Sequence, residues 1–262
     1  MARASGRSPH EHRPIELVPS FQRSAEGSVL YRAGGTVVLC TASVEDALPK
    51  WLAGRPQGWL TAEYQMHPRA SAQARQPREG RGGQIVKGRT SEIQRLVGRA
   101  LRAAVDLRVL GQRTITIDCD VLEADGGTRT ASASGGWVAL VLALHALAAR
   151  GLLRTRPLCH QIAAISVGLV GDELCVDLDY AEDSKARLDM NVVATAAGEL
   201  VDVQATAEGA PVSRESFDAL LGAALEALGQ VAAAQRRCLE QAGVDLGALA
   251  AAGASLGPGA GR

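Results

Sequence analysis

The stretch from Trp137 to Leu147 is apolar or small at nearly every position. A helix without a polar face cannot lie on a surface, so it has to run through the interior with other layers stacked around it. Gly135 and Gly136 near its start would each cost about 1 kcal/mol in an ordinary helix. Their presence predicts that neighbouring elements approach the helix backbone closely. Just upstream, Arg113 to Leu122 alternates strictly, with Ile115, Ile117, Cys119 and Val121 on one face and Thr116, Asp118 and Asp120 on the other. That is a strand with one buried face. Strand and helix are joined by Ala124-Asp-Gly-Gly-Thr-Arg-Thr130.

The rest of the chain alternates in the same way. Ser28 to Glu45 reads as two strands around a turn at Gly34-Gly35, and Thr90 opens a helix with Ile93, Leu96, Val97, Leu101, Ala104 and Val105 on its apolar stripe. Ile162 to Asp183 reads as strand, turn, strand, Asn191 to Gln204 as a hairpin about Gly198, and Ser213 opens a long amphipathic helix. Gly171-x-x-Leu174-Cys175 echoes Gly35-x-x-Val38-Leu39-Cys40. The order of elements predicts an α/β fold of duplicated βαβα units sharing one core, a single domain over 1–242 built from halves at about 14–150 and 160–242. Residues 243–262 are rich in Ala and Gly and read as a frayed, dispensable tail, and His10 and His12 fall in a mobile start.

Hydrophobic residues make up 47% of the 262 residues and charged residues 21%, which supports a large core and excludes a disordered chain. No apolar run reads as long enough to cross a membrane, and no apolar stretch follows the basic start to form a secretory signal. Five cysteines without C-x-x-C spacing suit reduced thiols, so a cytoplasmic location is expected. Formal net charge is zero, but its distribution is uneven. Arg69, Arg75, Arg78, Arg81, Lys87, Arg89, Arg95, Arg99 and Arg102 face only Glu79 and Glu92, whereas acids gather between Asp172 and Asp189.

Three constellations could carry chemistry. The Gly126-Gly127-Thr128-Arg129 turn combines inward backbone amides, a helix N-terminus, a hydroxyl and a guanidinium, a cradle for one phosphate; it would equally serve as a tight strand-to-helix turn with a threonine cap. No G-x-x-x-x-G-K-[ST] occurs, so a triphosphate grip is excluded. Asp177 and Asp179 read as sharing one strand face, followed by Glu182, Asp183 and Asp189. Such carboxylates bind Mg²⁺, donate protons, or simply lie solvated. Residues 65–90 form an arginine-rich loop with no periodicity, suited to backbone phosphates of a nucleic acid or to plain solubility. Trp51, Trp59 and Tyr64 border it and read as core or interface, because 3% aromatic content offers no stacking platform. The five histidines form no cluster.

Gly58-Trp-Leu-Thr-Ala-Glu-Tyr64, Glu92 to Leu96, Arg99 to Leu107, Asp118 to Thr130, Asp189 to Val193 and Gln204-x-Thr-Ala-Glu-Gly209 resemble, in order, the bacterial ribonuclease PH family. The resemblance spans roughly residues 5–240; His67, Gln76-Pro77 and Lys87 depart from the family pattern. It implies a phosphate-dependent 3′-to-5′ exoribonuclease and nucleotidyltransferase that trims tRNA precursors and other RNA 3′ ends, releases nucleoside diphosphates, and runs in reverse. It further implies a ring, usually a hexamer made of three dimers, with no membrane partner. Arg89, Gly127, Thr128 and Arg129 match the family's phosphate site, with inorganic phosphate as co-substrate. Asp183 and Asp189 match its catalytic or Mg²⁺-binding acids, and Arg69, Arg75 and Arg78 match its RNA-binding loop. Two other functions stay open: a non-catalytic RNA-binding ring subunit and a hydrolytic metal-dependent nuclease.

Overall fold

The computed structural model describes residues 3, 5–72, 75–80, 86 and 88–257. Arg81 and Lys87 of the arginine-rich segment, and the end of the chain beyond 257, lie outside the described residues. The first half builds a sheet from β1 (Ile15–Pro19), β2 (Gly27–Ala33), β3 (Thr36–Glu45), β4 (Trp59–Met66) and β5 (Thr114–Glu123), in the order β1-β2-β3-β5-β4. β4 runs parallel to β5 and the other pairs are antiparallel. α1 (Gly88–Ala103) and α2 (Thr128–Ala149) pack side by side on this sheet. The alternation in β5 appears as expected: Ile115, Ile117, Cys119 and Val121 are buried, while Asp118 and Asp120 turn away from the core.

A second sheet lies across α2. β7 (Ile162–Val170), β8 (Glu173–Val176), β9 (Ala186–Thr195) and β10 (Leu200–Ala207) pair in the order β10-β9-β7-β8, after a short β6 (Leu158–His160). Side chains of β7 alternate between two partners. Ile162 and Ala164 join the core around α2, whereas Ala163, Ile165 and Val167 pack under α4 (Arg214–Gln241). The layers therefore run sheet, helix, sheet, helix, with α2 enclosed. A Cβ on Gly135 would stand 2.8 Å from the sulfur of Cys40, and one on Gly136 3.2 Å from Leu101, which accounts for both glycines as sites of close approach. Gln235 stitches three layers: its amide donates to the carbonyls of Ser134 and Ile162, and its oxygen accepts from Gln161.

Four expectations are corrected. By length and composition both α2 and α4 suffice to cross a bilayer; in this fold α2 is walled in by protein and α4 lays its apolar face on the second sheet. The start of the chain is not loose, since Arg3, His12 and Arg13 are all buried. The Ala/Gly segment is structured through Gly257, as α5 (Leu246–Leu249) and β11 (Ala250–Ser255). Leu246, Leu249 and Leu256 insert into the main core, and β11 adds in parallel to β6. Asp177 and Asp179 share no strand face: β8 ends at Val176, Asp177 has φ 54°, and Asp179 caps α3 (Tyr180–Asp183). Arg13 holds this turn, its guanidinium donating to both oxygens of Asp177 at 2.8 and 2.7 Å.

Candidate active site

The glycine turn is shaped by what lies beneath it. Gly126 and Gly127 both take positive φ, 75° and 66°, and a Cβ on Gly126 would collide with the carbonyl of Leu178. Gly127 is the N-cap of α2 and brings no side-chain acceptor, so the first amides of a 22-residue helix point out of the turn. Thr128 is pinned by a 2.9 Å hydrogen bond between its hydroxyl and that of Tyr64, a buried residue of β4. Burial raises the Tyr64 phenol above its usual range, against the opposing pull of Thr128 and of two nearby cations, Arg89 and Arg129. Arg129 is aimed by the oxygen of Gln204 at 3.1 Å and lies 3.6 Å from Glu92.

Acidic groups close the opposite wall. Asp179 caps α3 in a reciprocal capping box with Glu182, which fixes the short helix ending at Asp183. Asp189 sits on β9, paired across to Thr206. Burial raises the Asp189 carboxyl above the ordinary range; the charge of Asp183 adds to this, Arg129 opposes it, and Glu208 raises it slightly more. The two walls face each other across a cavity of about 360 Å³ lined by Arg89, Gly127, Thr128, Arg129, Asp183 and Asp189 among others. Two cations, helix-end amides and two carboxylates around so small a space suit an anion whose charge changes during reaction.

Comparison with known proteins places this arrangement. Residues 11–144 match the model of the 3′ exoribonuclease family, domain 1, and residues 160–227 match domain 2 of the same family. The chain belongs to the 3′ exoribonuclease family. Its fold is the two-part α/β fold of ribonuclease PH, shared with solved exosome structures. Rrp46 from rice, Oryza sativa, is 21% identical and superposes with a TM-score of 0.72 over 90% of this chain and 100% of its own. An Archaeoglobus fulgidus exosome chain, solved with RNA bound to the active site, is 22% identical, with a TM-score of 0.71 over 87% of this chain and 91% of its own. An archaeal exosome core chain is 21% identical, with a TM-score of 0.69 over 90% of each chain.

Within this family member the anion-site and acidic residues read from sequence converge on one cavity, although they come from α1, the α2 turn, α3 and β9. Arg69, Arg75 and Arg78 do not line it. Their side chains are exposed, and the same segment sends Gln76 and Pro77 into the cavity wall instead. Sequence reasoning missed Tyr64 as the partner of Thr128, Gln204 as the support of Arg129, and Ser166 and Asn191 as cavity lining. Gln204 stood inside a motif of the resemblance; Ser166 carried no local signal. Arg13 was missed as well. It donates to the carbonyls of Asp125 and, more weakly, Gly126 and Leu178, so one side chain backs both walls.

Proposed function

We propose that this protein is a phosphate-dependent 3′-to-5′ exoribonuclease that shortens RNA 3′ ends, tRNA precursors among them, and releases nucleoside diphosphates. The carrying observation is the convergence of Arg89, Thr128, Arg129, Asp183 and Asp189 on one cavity. Orthophosphate would sit on the amides opening α2, clamped by Arg129 and Arg89. One of its oxygens attacks the phosphorus of the last phosphodiester. The new P–O bond makes the nucleoside diphosphate, the bond to the preceding 3′ oxygen breaks, and that oxygen takes a proton. Asp189, kept protonated to higher pH than an ordinary carboxyl by burial and by Asp183, suits the donor role. A phosphodiester is exchanged for a diphosphate linkage, so positioning and charge neutralisation suffice and the reaction runs both ways.

Mg²⁺ fits this wall in one manner. No cluster of three or more potential metal ligands occurs among the described residues, so a closed cage is absent there. A Mg²⁺ ion is commonly held by one or two carboxylates, with water and substrate oxygens completing its shell, and Asp183 and Asp189 meet that description. When bound it supplies positive charge to the breaking phosphodiester.

The exosome likenesses support assembly into an oligomeric ring with RNA as partner, and we extend the reading to a hexamer in the cytoplasm. A non-catalytic ring subunit is the second reading, kept open by the likeness to an archaeal exosome core chain. The two separate in an assay of a short 3′-tailed RNA with and without phosphate. The enzyme yields diphosphates only when phosphate is added, and Arg129→Ala lowers the rate about 10²–10³-fold while RNA binding is retained. Monophosphate release in phosphate-free buffer would identify a hydrolase, and no product in either buffer a structural subunit.

A further inference from the structure

The face of the second sheet that looks at α2 carries a polar row. Ser166 on β7 is the register partner of Asn191 on β9, and Asn191 is in turn the partner of Gln204 on β10. Side chains directly opposite in antiparallel strands stand about 5 Å apart on one face. Gln204 is committed to Arg129, and Ser166 and Asn191, only 6% and 8% exposed, line the floor of the cavity. The Ser166 hydroxyl has no hydrogen-bond partner among the described residues.

Glu92 Oε1 and His160 Nδ1 are also without one, but polar side chains buried between α2 and the second sheet are paired. Ser134, fully buried on the facing side of α2, both donates to the carbonyl of Ala164 and accepts from its amide. Gln161 and Gln235 are satisfied as well. Buried polar groups are nearly always paired, and an orphan at a cavity wall calls for a partner from outside the chain. Its position says which. Ser166 Oγ lies 3.8 Å from where a Cβ on Gly127, the N-cap of α2, would stand, so the hydroxyl sits beside the opening of that helix.

We infer that Ser166, flanked by Asn191, donates to an oxygen of the phosphate held at the glycine turn, so that the anion is gripped between the two halves of the molecule. The inference rests on the phosphate reading above and adds a ligand-binding residue from the second half. A tetrahedral anion on the helix amides presents oxygens on its far side, where Ser166 of the second sheet lines the same cavity.

Thermal unfolding with increasing phosphate tests it, using the full-length protein, Ser166→Ala and Ser166→Gly. Without phosphate, Ser166→Ala is expected to melt at or above the wild-type temperature, since the substitution removes an unsatisfied hydroxyl. The phosphate concentration giving half-maximal protection is expected to rise about tenfold, the loss of one hydrogen bond to a charged group. Opposite signs in the two measurements are what a packing role cannot produce. Equal protection of Ser166→Ala and wild type overturns the assignment and leaves the phosphorolytic reading standing. No protection of the wild type removes that reading and this inference together. Failure of both variants to fold gives Ser166 a structural role and overturns the inference.

Discussion

Arg13→Met removes the guanidinium that backs both walls of the cavity, and its cost can be worked from the contacts. Asp177 is 4% exposed and accepts two hydrogen bonds from that guanidinium, at 2.7 and 2.8 Å, and one from the Arg13 amide at 2.9 Å. The variant keeps the amide, the more distant Arg7 and the contact with His12, so the carboxylate is not wholly abandoned. Stripping one partner from a buried pair costs about 3–5 kcal/mol, and the retained contacts place this case near the lower bound, about 3 kcal/mol. For a chain of this size each kcal/mol lowers Tm by about 2–4 °C, giving a loss of about 6–12 °C by calorimetry. The gap should depend on pH. Burial pushes the Asp177 carboxyl up, but the hydrogen bonds and charge of Arg13, with His12, hold it below the usual range. A carboxyl depressed in the folded state contributes stability that is present above the unfolded value near pH 4 and lost as pH falls through the folded one. In Arg13→Met burial dominates and the carboxyl prefers its proton, so the difference between the two proteins should narrow from pH 7 toward pH 4. Adding Asp177→Asn should recover more than half of the lost stability. A change in Tm under 2 °C for Arg13→Met, or additive losses in the double variant, would refute the reasoning.

Three further outcomes are expected. Asp189→Asn should abolish turnover while phosphate still protects the protein in thermal unfolding; loss of protection would move Asp189 into the anion site. Truncation after Ala242 removes Leu246, Leu249 and Leu256 from the core, and with about 2–5 kcal/mol at stake for each buried leucine the shortened chain should be insoluble or melt more than 10 °C lower. Unchanged melting would restore the dispensable tail. Burial lowers the His12 imidazole below its usual range, despite Asp177, so folding with neutral His12 loses stability as pH falls through and below about 6.5. His12→Gln should flatten that part of the stability profile, and an identical slope in the variant would count against it.

What was legible in the sequence was local. The alternation of Ile115 to Val121 and the nearly all-apolar run after Trp137 each follow from one element's own period, and both appear as read. The glycine turn was legible because two adjacent glycines between a strand and a helix leave few conformations. Asp177 was misread because Asp-Leu-Asp has the period of a strand; the contact that holds its turn comes from a residue 164 positions away. The N-terminal arm looked mobile because it is polar, yet Arg3 is clamped bidentately by Glu182 at 2.6 and 2.7 Å. The C-terminal segment looked expendable because Ala and Gly dominate it, while three spaced leucines and a strand partner contributed by β6 decide its fate. Arg69, Arg75 and Arg78 were assigned through the resemblance to an RNA-binding loop, and they lie exposed outside the cavity lining.

On the proposed reading, the helix whose amides would hold the anion is also the helix that both sheets hold from either side. It has no free flank along which to tilt or slide, so the cradle at its tip is a fixed jig. Substrates must adjust to it, and accommodation of different RNA ends falls to the surface loops and the acidic turn. Directed evolution for new leaving groups should therefore concentrate its changes there and spare the helix.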